Sequence, residues 1–233
     1  MMVTNSKKPS RGAPIALSKG RLVWLGRGVD YRSAWDLQQQ MAAKRGEGVI
    51  PDTLLLLEHQ SVYTAGPRAP MGHVLGKLTA PLVKTDRGGL VMYHGPGQLV
   101  GYPIINLSEK RLGPKAYVHG LEEALVEALA DFGVIAHTEE GLTGVWTEQG
   151  KIAAIGVKIS RGVSLHGFAL NVSTNLAAYA PIIPCGISDR PVTSMAQALG
   201  NSAGMEAIRS SVGRAIGRHL NIRWSEIPAT EVT

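Results

Sequence analysis

The chain of 233 residues carries 24 Lys and Arg against 18 Asp and Glu, a net charge of +6, and is 44% apolar, enough for one domain with a sizeable core. Its one cysteine, Cys185, excludes a disulfide framework and a multi-cysteine zinc site, and fits a reducing cytoplasm. The basic residues are scattered rather than massed among aromatics, which argues against nucleic acid and for an acidic protein partner; no run of 18 apolar residues marks a membrane span, and no signal-peptide core follows Lys7, Lys8 and Arg11.

Residues 1–20 are rich in Ser, Pro, Gly and Lys without periodicity and read as a flexible tail, with folding starting near Arg21. A short strand over 22–25 leads through Gly26-Arg27-Gly28 to a helix over 31–45, with Ala34, Leu37, Gln38 and Met41 on its inner stripe. The apolar run 52–58 reads as a buried strand delivering His59, Val62 and Tyr63 at its carboxyl end. Residues 64–71, with Gly66, Pro67, Arg68 and Pro70, read as a loop, and 81–84 as a strand feeding a glycine-rich stretch.

That stretch, 86–107, DRGGLVMYHGPGQLVGYPIINL, holds five glycines in 22 residues and ends in the buried strand 99–107. Arg87-Gly88-Gly89 and His94-Gly95-Pro96-Gly97-Gln98 read as a wall of exposed amides beside a fixed imidazole, the makings of a binding loop. A second helix covers 115–132 with Val118, Leu121, Leu125 and Leu129 on one face and Gly133 as its stop. Strand patterns over 134–138, 144–147, 151–159 and 163–172 are joined by tight turns and so pair antiparallel. A last helix over 204–220 turns Ile208, Val212, Ile216 and Leu220 inward, and 226–233 is left as a C-terminal tail. The sum is a single-domain α/β (α+β) sandwich of mostly antiparallel or mixed sheet packed with helices. No G-x-G-x-x-G opens a helix and no Walker loop occurs, so the doubly wound nucleotide folds are set aside.

Few residues can carry chemistry. Cys185 lies on a Pro-Cys-Gly bend; burial as a small hydrophobe is the commoner fate of a lone cytosolic cysteine, but the bend points to a nucleophile. Such a thiol needs a neighbouring base or cation, and His94, His166 or a lysine could serve. Lys151 opens K-I-A-A-I-G-V-K, whose small residues leave room for a substrate, although a lysine there is ordinarily a solvated strand end. In a regular strand Lys151 shares a face with Ala153, Ile155 and Val157, and Lys158 points to the other; a bulge between Ile152 and Val157 would bring both lysines to one side. His166 sits mid-strand beside Gly167, where something approaches closely.

Tyr93-His94-Gly95-Pro96-Gly97-Gln98-Leu99-Val100-Gly101-Tyr102-Pro103, Gly144-Val145-Trp146, Lys151-Ile152-Ala153-Ala154-Ile155-Gly156, His166-Gly167 with Asn171-Val172, and Pro184-Cys185-Gly186-Ile187 followed by Val192-Thr193-Ser194 together resemble the signatures of the lipoyl(octanoyl) transferase family. They occur in the expected order over about residues 22–199. The resemblance implies a catalytic domain over 21–225, similar in fold to biotin and lipoate protein ligases. It would move an octanoyl group from octanoyl-acyl carrier protein to a lysine of lipoyl domains, those of 2-oxoacid dehydrogenases and of the glycine cleavage H protein. No ATP, cofactor, metal, membrane or nucleic acid is implied.

By the family pattern Cys185 takes the acyl group as a thioester and Lys151 acts as base and then acid. The implied substrate-binding set is Arg87, Gly88, Gly89, Tyr93, His94, Gly95, Gly97, Gln98, Ala153, Ala154, Ile155, Gly156, Ser164, His166, Gly167 and Ala169. An apolar acyl tunnel would draw on Leu55, Leu57, Ile155 and the strand 99–105. The segment Thr64-Ala65-Gly66-Pro67 departs from a family loop that usually ends in Gly-Arg, Pro67 intervening before Arg68. Competing readings are an ATP-dependent ligase on the same fold, which would need a nucleotide-cradling glycine run, and a noncatalytic carrier-binding module, which would need neither Cys185 nor Lys151. A thiol protease would need a histidine with an orienting Asn or Asp, and no such trio is evident in the sequence.

Overall fold

The computed structural model describes residues 17–187, 189–201 and 204–232. Its centre is β2 (Asp52–Leu57), every residue of which is buried because layers cover both of its faces. On one side β2 pairs antiparallel with β6 (Gln98–Ile104), Leu55 opposite Tyr102. β6 in turn pairs with β10 (Val163–Asn171), and β10 with β9 (Gly150–Ser160). β8 (Leu142–Thr147) and β7 (His137–Glu139) complete that flank. On the other side β1 (Ser18–Trp24) runs parallel to both β2 and β11 (Ile222–Ile227), giving an eight-stranded mixed sheet.

Helices cover both faces. α1 (Tyr31–Gly46) starts where the Asp30 side chain accepts the Ser33 amide at 2.8 Å, and buries Tyr31, Ala34, Gln38, Met41 and Arg45 at helical spacing. Leu37 is only half-buried, at the edge of the core formed by Val23, Leu55, Leu57, Val100 and Ile104. On the opposite face α2 (Pro114–Ala130), opened by a proline in its first turn, packs on α4 (Met205–His219) over Leu54, Leu56, Leu99 and Leu170. A five-residue helix, α3 (Met195–Leu199), precedes α4. A second sheet, β4-β3-β5, is built from β3 (Val62–Ala65), β4 (Leu82–Lys84) and β5 (Val91–His94), with its own small core around Tyr63 and Tyr93.

Four expectations are corrected. Thr64 and Ala65 belong to β3 rather than to a loop, and 91–94 is a strand, because each pairs with the other across the small sheet. Ser18, Lys19 and Gly20 belong to β1 rather than to a tail, in register with Ile222, Arg223 and Trp224. Residues 1–16 of the expected tail lie outside the described residues. Residues 226–232 are no tail, since Glu226 and Ile227 end β11, 229–231 form a 3₁₀ turn, and Val232 is buried against the α1-side core.

The fourth correction concerns the two lysines of β9. Val145 pairs with Ala153 but Trp146 pairs with Lys151, so Ile152 is an extra residue and the strand bulges there. Ile152 and Ala153 therefore both join the α2-side core. Beyond Ala153 the pairing with β10 is regular to Ser160, so Ala154, Gly156 and Lys158 share the face opposite that core, and the bulge puts Lys151 on it too.

Candidate active site

Cys185 stands on a 3₁₀ turn, Pro184–Gly186, that follows β10. Its φ of 55° and ψ of 11° put a non-glycine residue in the left-handed region, a conformation costing roughly 1–3 kcal/mol and held only where the surroundings impose it. They do so here through a bridge between Ile182 and Val74 and the Ile183 amide donating to the His73 carbonyl at 2.9 Å. The half-buried thiol lies 3.2 Å from the Met92 sulfur.

Lys151 is 6% exposed. Its ammonium donates to the Thr143 carbonyl at 2.7 Å and lies 5.0 Å from the centre of the Trp146 ring. Among the described residues no carboxylate is within ion-pair reach of it. Lys151 and Cys185 line one small cavity together with Ala153, Ala154, Ala169, Asn171 and Val192.

A second cavity meets the first at Met92, Ala154, Ala169 and Cys185. It is lined by Arg87, Gly88, Gly89, His94, Ile155, Gly156, His166 and Gly167 of the expected set, and also by Tyr31, Tyr102 and Phe168. The 86–90 loop lies directly on β9: the Gly88 amide donates to the Val157 carbonyl at 3.0 Å, and a Cβ at Gly156 would fall 2.7 Å from the Gly88 carbonyl oxygen. Glycine at 156 is what lets the two backbones touch.

The remaining expected residues stand behind this lining. Gln98 is a buried hub whose amide nitrogen donates to the Tyr93 carbonyl, the Asn171 side-chain oxygen and the Tyr179 hydroxyl. Gly97 donates its amide to Glu58 at 2.8 Å, and its carbonyl accepts from Val172 and Ser173. The Tyr93 hydroxyl meets Ser61 and crowds Gly95. Ser164 lies away from the cavity, its hydroxyl donating to the Pro103 carbonyl at 2.7 Å and accepting the Ile105 amide, so that it closes the β6–β10 seam. Leu55 and Leu57 pack under α1 and line neither cavity; of strand 99–105 only Tyr102 does.

Electrostatically the pocket is a set of neutral imidazoles beside one buried cation. The His94 Nδ1–H donates to Gln98 Oε1 at 2.8 Å and the Thr64 hydroxyl faces Nε2 at 3.3 Å; burial holds His94 well below the usual histidine range. His59 donates Nδ1–H to the Val29 carbonyl and accepts the Tyr102 hydroxyl at Nε2, and burial pushes it down to about 4. His166 donates Nε2–H to Asp86 at 2.8 Å, yet burial outweighs the carboxylate and keeps the ring below its ordinary value. Burial pushes Asp86 up, but bonds from Lys158 and His166 prevail and hold it ionised below the usual range. Arg87 spends its N–H groups on Thr64, Gly88 and Leu90 oxygens, all neutral.

Sequence reasoning missed Tyr31, Met92, Phe168 and Asp86. Asp86 opens the glycine-rich stretch, and an acid two positions after a strand and directly before Arg87 was a usable signal; Tyr31 and Phe168 had none, since their spacing reads as core.

A large mixed sheet with helices on both faces and a small sheet roofing the cavity is the fold of the lipoate and biotin protein ligases. The chain is similar to a bipartite lipoate protein ligase of Thermoplasma acidophilum, with a TM-score of 0.69 and 18% identity covering 92% of this chain and 89% of that one. It is also similar to biotin protein ligase of Aquifex aeolicus, with a TM-score of 0.57 and 17% identity covering 86% and 70%. The chain belongs to the lipoyl protein ligase A/B catalytic domain family, whose pattern matches residues 30–217. Its curated relatives include an octanoyltransferase of Mycobacterium tuberculosis, 50% identical over 191 residues that cover 81% of this chain and 82% of the relative. Another, of Mycolicibacterium gilvum, is 46% identical over 202 residues covering 84% and 83%.

Proposed function

We propose that the chain is an octanoyltransferase that carries an octanoyl group from acyl carrier protein to a lysine of a lipoyl domain through a thioester on Cys185. The observation that carries the reading is the cavity shared by Lys151 and Cys185, in a chain half identical to octanoyltransferases. In the first step Lys151 takes the thiol proton, Cys185 sulfur attacks the acyl carbonyl carbon, and the carbon–sulfur bond to the carrier breaks as Lys151 returns the proton to the leaving thiolate. One thioester replaces another, so the exchange is close to isoenergetic and needs no nucleotide. In the second step the amine of the acceptor lysine attacks the Cys185 thioester, an amide forms, and Lys151 passes the amine proton to the departing Cys185 sulfur.

Support comes from the surroundings of each group. Thr143 and Trp146 hold the lysine, and among the described residues no carboxylate fixes it as a permanent ion pair. The larger cavity, walled by glycines, Ile155, Phe168 and Met92, suits a saturated chain. The net charge of +6 suits an acidic carrier, the acceptors being lipoyl domains of 2-oxoacid dehydrogenases and of the glycine cleavage H protein in the cytoplasm. No described helix is long and apolar enough to cross a membrane.

Intact-mass spectrometry after mixing the protein with octanoyl-carrier protein, with and without ATP, tests the assignment. An octanoyl increment without ATP, localised to Cys185 and passed on to an added lipoyl domain, is expected. Transfer that starts only from free octanoate with ATP would make the chain a ligase instead.

A further inference from the structure

His166 borders the cavity proposed to hold the acyl chain. Along β10, Ala169 borders the Cys185 cavity and His166 lies three positions before it, about 10 Å at the usual strand rise. An extended octanoyl group of seven C–C bonds, each ~1.5 Å, spans about 9 Å. Between the two points β9 and β10 present Ala154, Gly156 and Gly167, with Ile155 and Phe168 also bordering the cavity.

The imidazole is unusually well fixed. Its residue has φ 56°, its backbone N–H donates to Gln38 Oε1 at 2.7 Å, and its ring sits between Trp35 at 5.9 Å and Tyr102 at 6.4 Å. Nε2 is 2.8 Å from one Asp86 oxygen, and Lys158 Nζ is 2.6 Å from the other. An aliphatic side chain in its place could change rotamer and let a longer chain pass, whereas a ring pinned at its far nitrogen cannot swing aside. Behind this brace opens another cleft, lined by Asp86, Lys158, Arg161 and Glu47 and continuous with solvent. His166 and its brace are thus the partition between an apolar pocket and a wet cleft.

We propose that His166, pinned by Asp86, is the end stop that sets the length of the acyl group at about eight carbons. The inference rests on acyl transfer through Cys185 as the activity. His166 here is a specificity-determining residue, with no proton transfer assigned to it.

The test uses the full chain with hexanoyl, octanoyl, decanoyl and dodecanoyl thioesters of acyl carrier protein, reading the rate of Cys185 acylation for each. The wild type should prefer octanoyl over dodecanoyl. His166→Ala should raise the dodecanoyl-to-octanoyl ratio of kcat/KM by about tenfold or more, in keeping with the worth of added methylenes in an apolar pocket. His166→Phe, which restores bulk, should return the ratio toward the wild type, and Asp86→Asn, which loosens the brace, should shift it in the direction of His166→Ala. The ratio within one variant is insensitive to a general loss of activity. An unchanged ratio in His166→Ala, or in Asp86→Asn should the alanine variant not fold, overturns the stop. A wild type that accepts dodecanoyl as readily as octanoyl also overturns it. Absence of any Cys185 adduct in the wild type would instead count against acyl transfer itself.

Discussion

Gly144 and Lys151 compete for the same space: a Cβ at Gly144 would lie 2.5 Å from Lys151 Cε and 2.6 Å from the Ala153 carbonyl, and Gly144 itself has φ 124°. The absent side chain is what lets the lysine fold back onto the Thr143 carbonyl beside Cys185. Gly144→Ala should therefore displace the ammonium and lower turnover about tenfold or more, with a loss of stability on the order of 1 kcal/mol from the strained φ. Lys151→Ala should cost about a hundredfold. Lys158→Ala should cost far less although the bulge puts both lysines on one face, because Lys158 is committed to Asp86. Equal losses in the two lysine variants, read as kcat with one donor, would sink the assignment of Lys151.

Cys185→Ser should abolish the hydroxylamine-labile octanoyl adduct while leaving the melting temperature within a few degrees, since the turn is held by backbone bonds that the substitution spares. An increment of unchanged lability in the serine protein would place the acyl group elsewhere.

Acid should weaken the fold well above the carboxylate range. His59 is held at about 4, against about 6.5 for an unfolded histidine. The unfolded chain therefore binds the extra proton, so the stabilisation is complete above about pH 6.5 and is lost as pH falls toward 4. His59 alone accounts for about 2 kcal/mol between pH 7 and pH 5. His94 and His166, also lowered by burial, add loss of the same sign. Asp86 and Glu109, the latter held low by Arg45, add theirs only below about pH 4. Urea unfolding at pH 7, 6 and 5 should show the fall, and a constant midpoint would refute it.

Val232→Ala should destabilise the protein by about 1–3 kcal/mol because the side chain is 3% exposed and packs on the α1-side core. Thermal melting reads the change directly; a wild-type melting curve would mean that the last residues are dispensable.

Much of the fold was legible because periodicity reports burial. The stripe Ile208, Val212, Ile216 and Leu220 and the run 54–57 are buried as their spacing implies. What failed was local pattern overridden by pairing. The alternation I-R-W-S-E-I is too polar to announce a strand, and β11 forms because β1 offers an unpaired edge. The motif residues around the cavity divide in space between lining and scaffold: Gly156 and His166 border it, while Gln98 and Ser164 act on other protein groups. Spacing along the chain carries no mark of that division. The bulge at Ile152 was equally silent, being set by the pairing of β8 rather than by β9 itself.

The pairing of β1 with β11 also governs when the sheet can be completed. Ser18 and Asn221 share a hydrogen bond across 203 positions of sequence, so β1 waits for β11. At ~5–20 residues per second of synthesis, the wait is about 10–40 s. Through that interval one edge of the nascent sheet, Leu22 and Val23 included, has no strand beside it and is open to other chains. Ribosome-associated chaperones should shield that edge until β11 has been made.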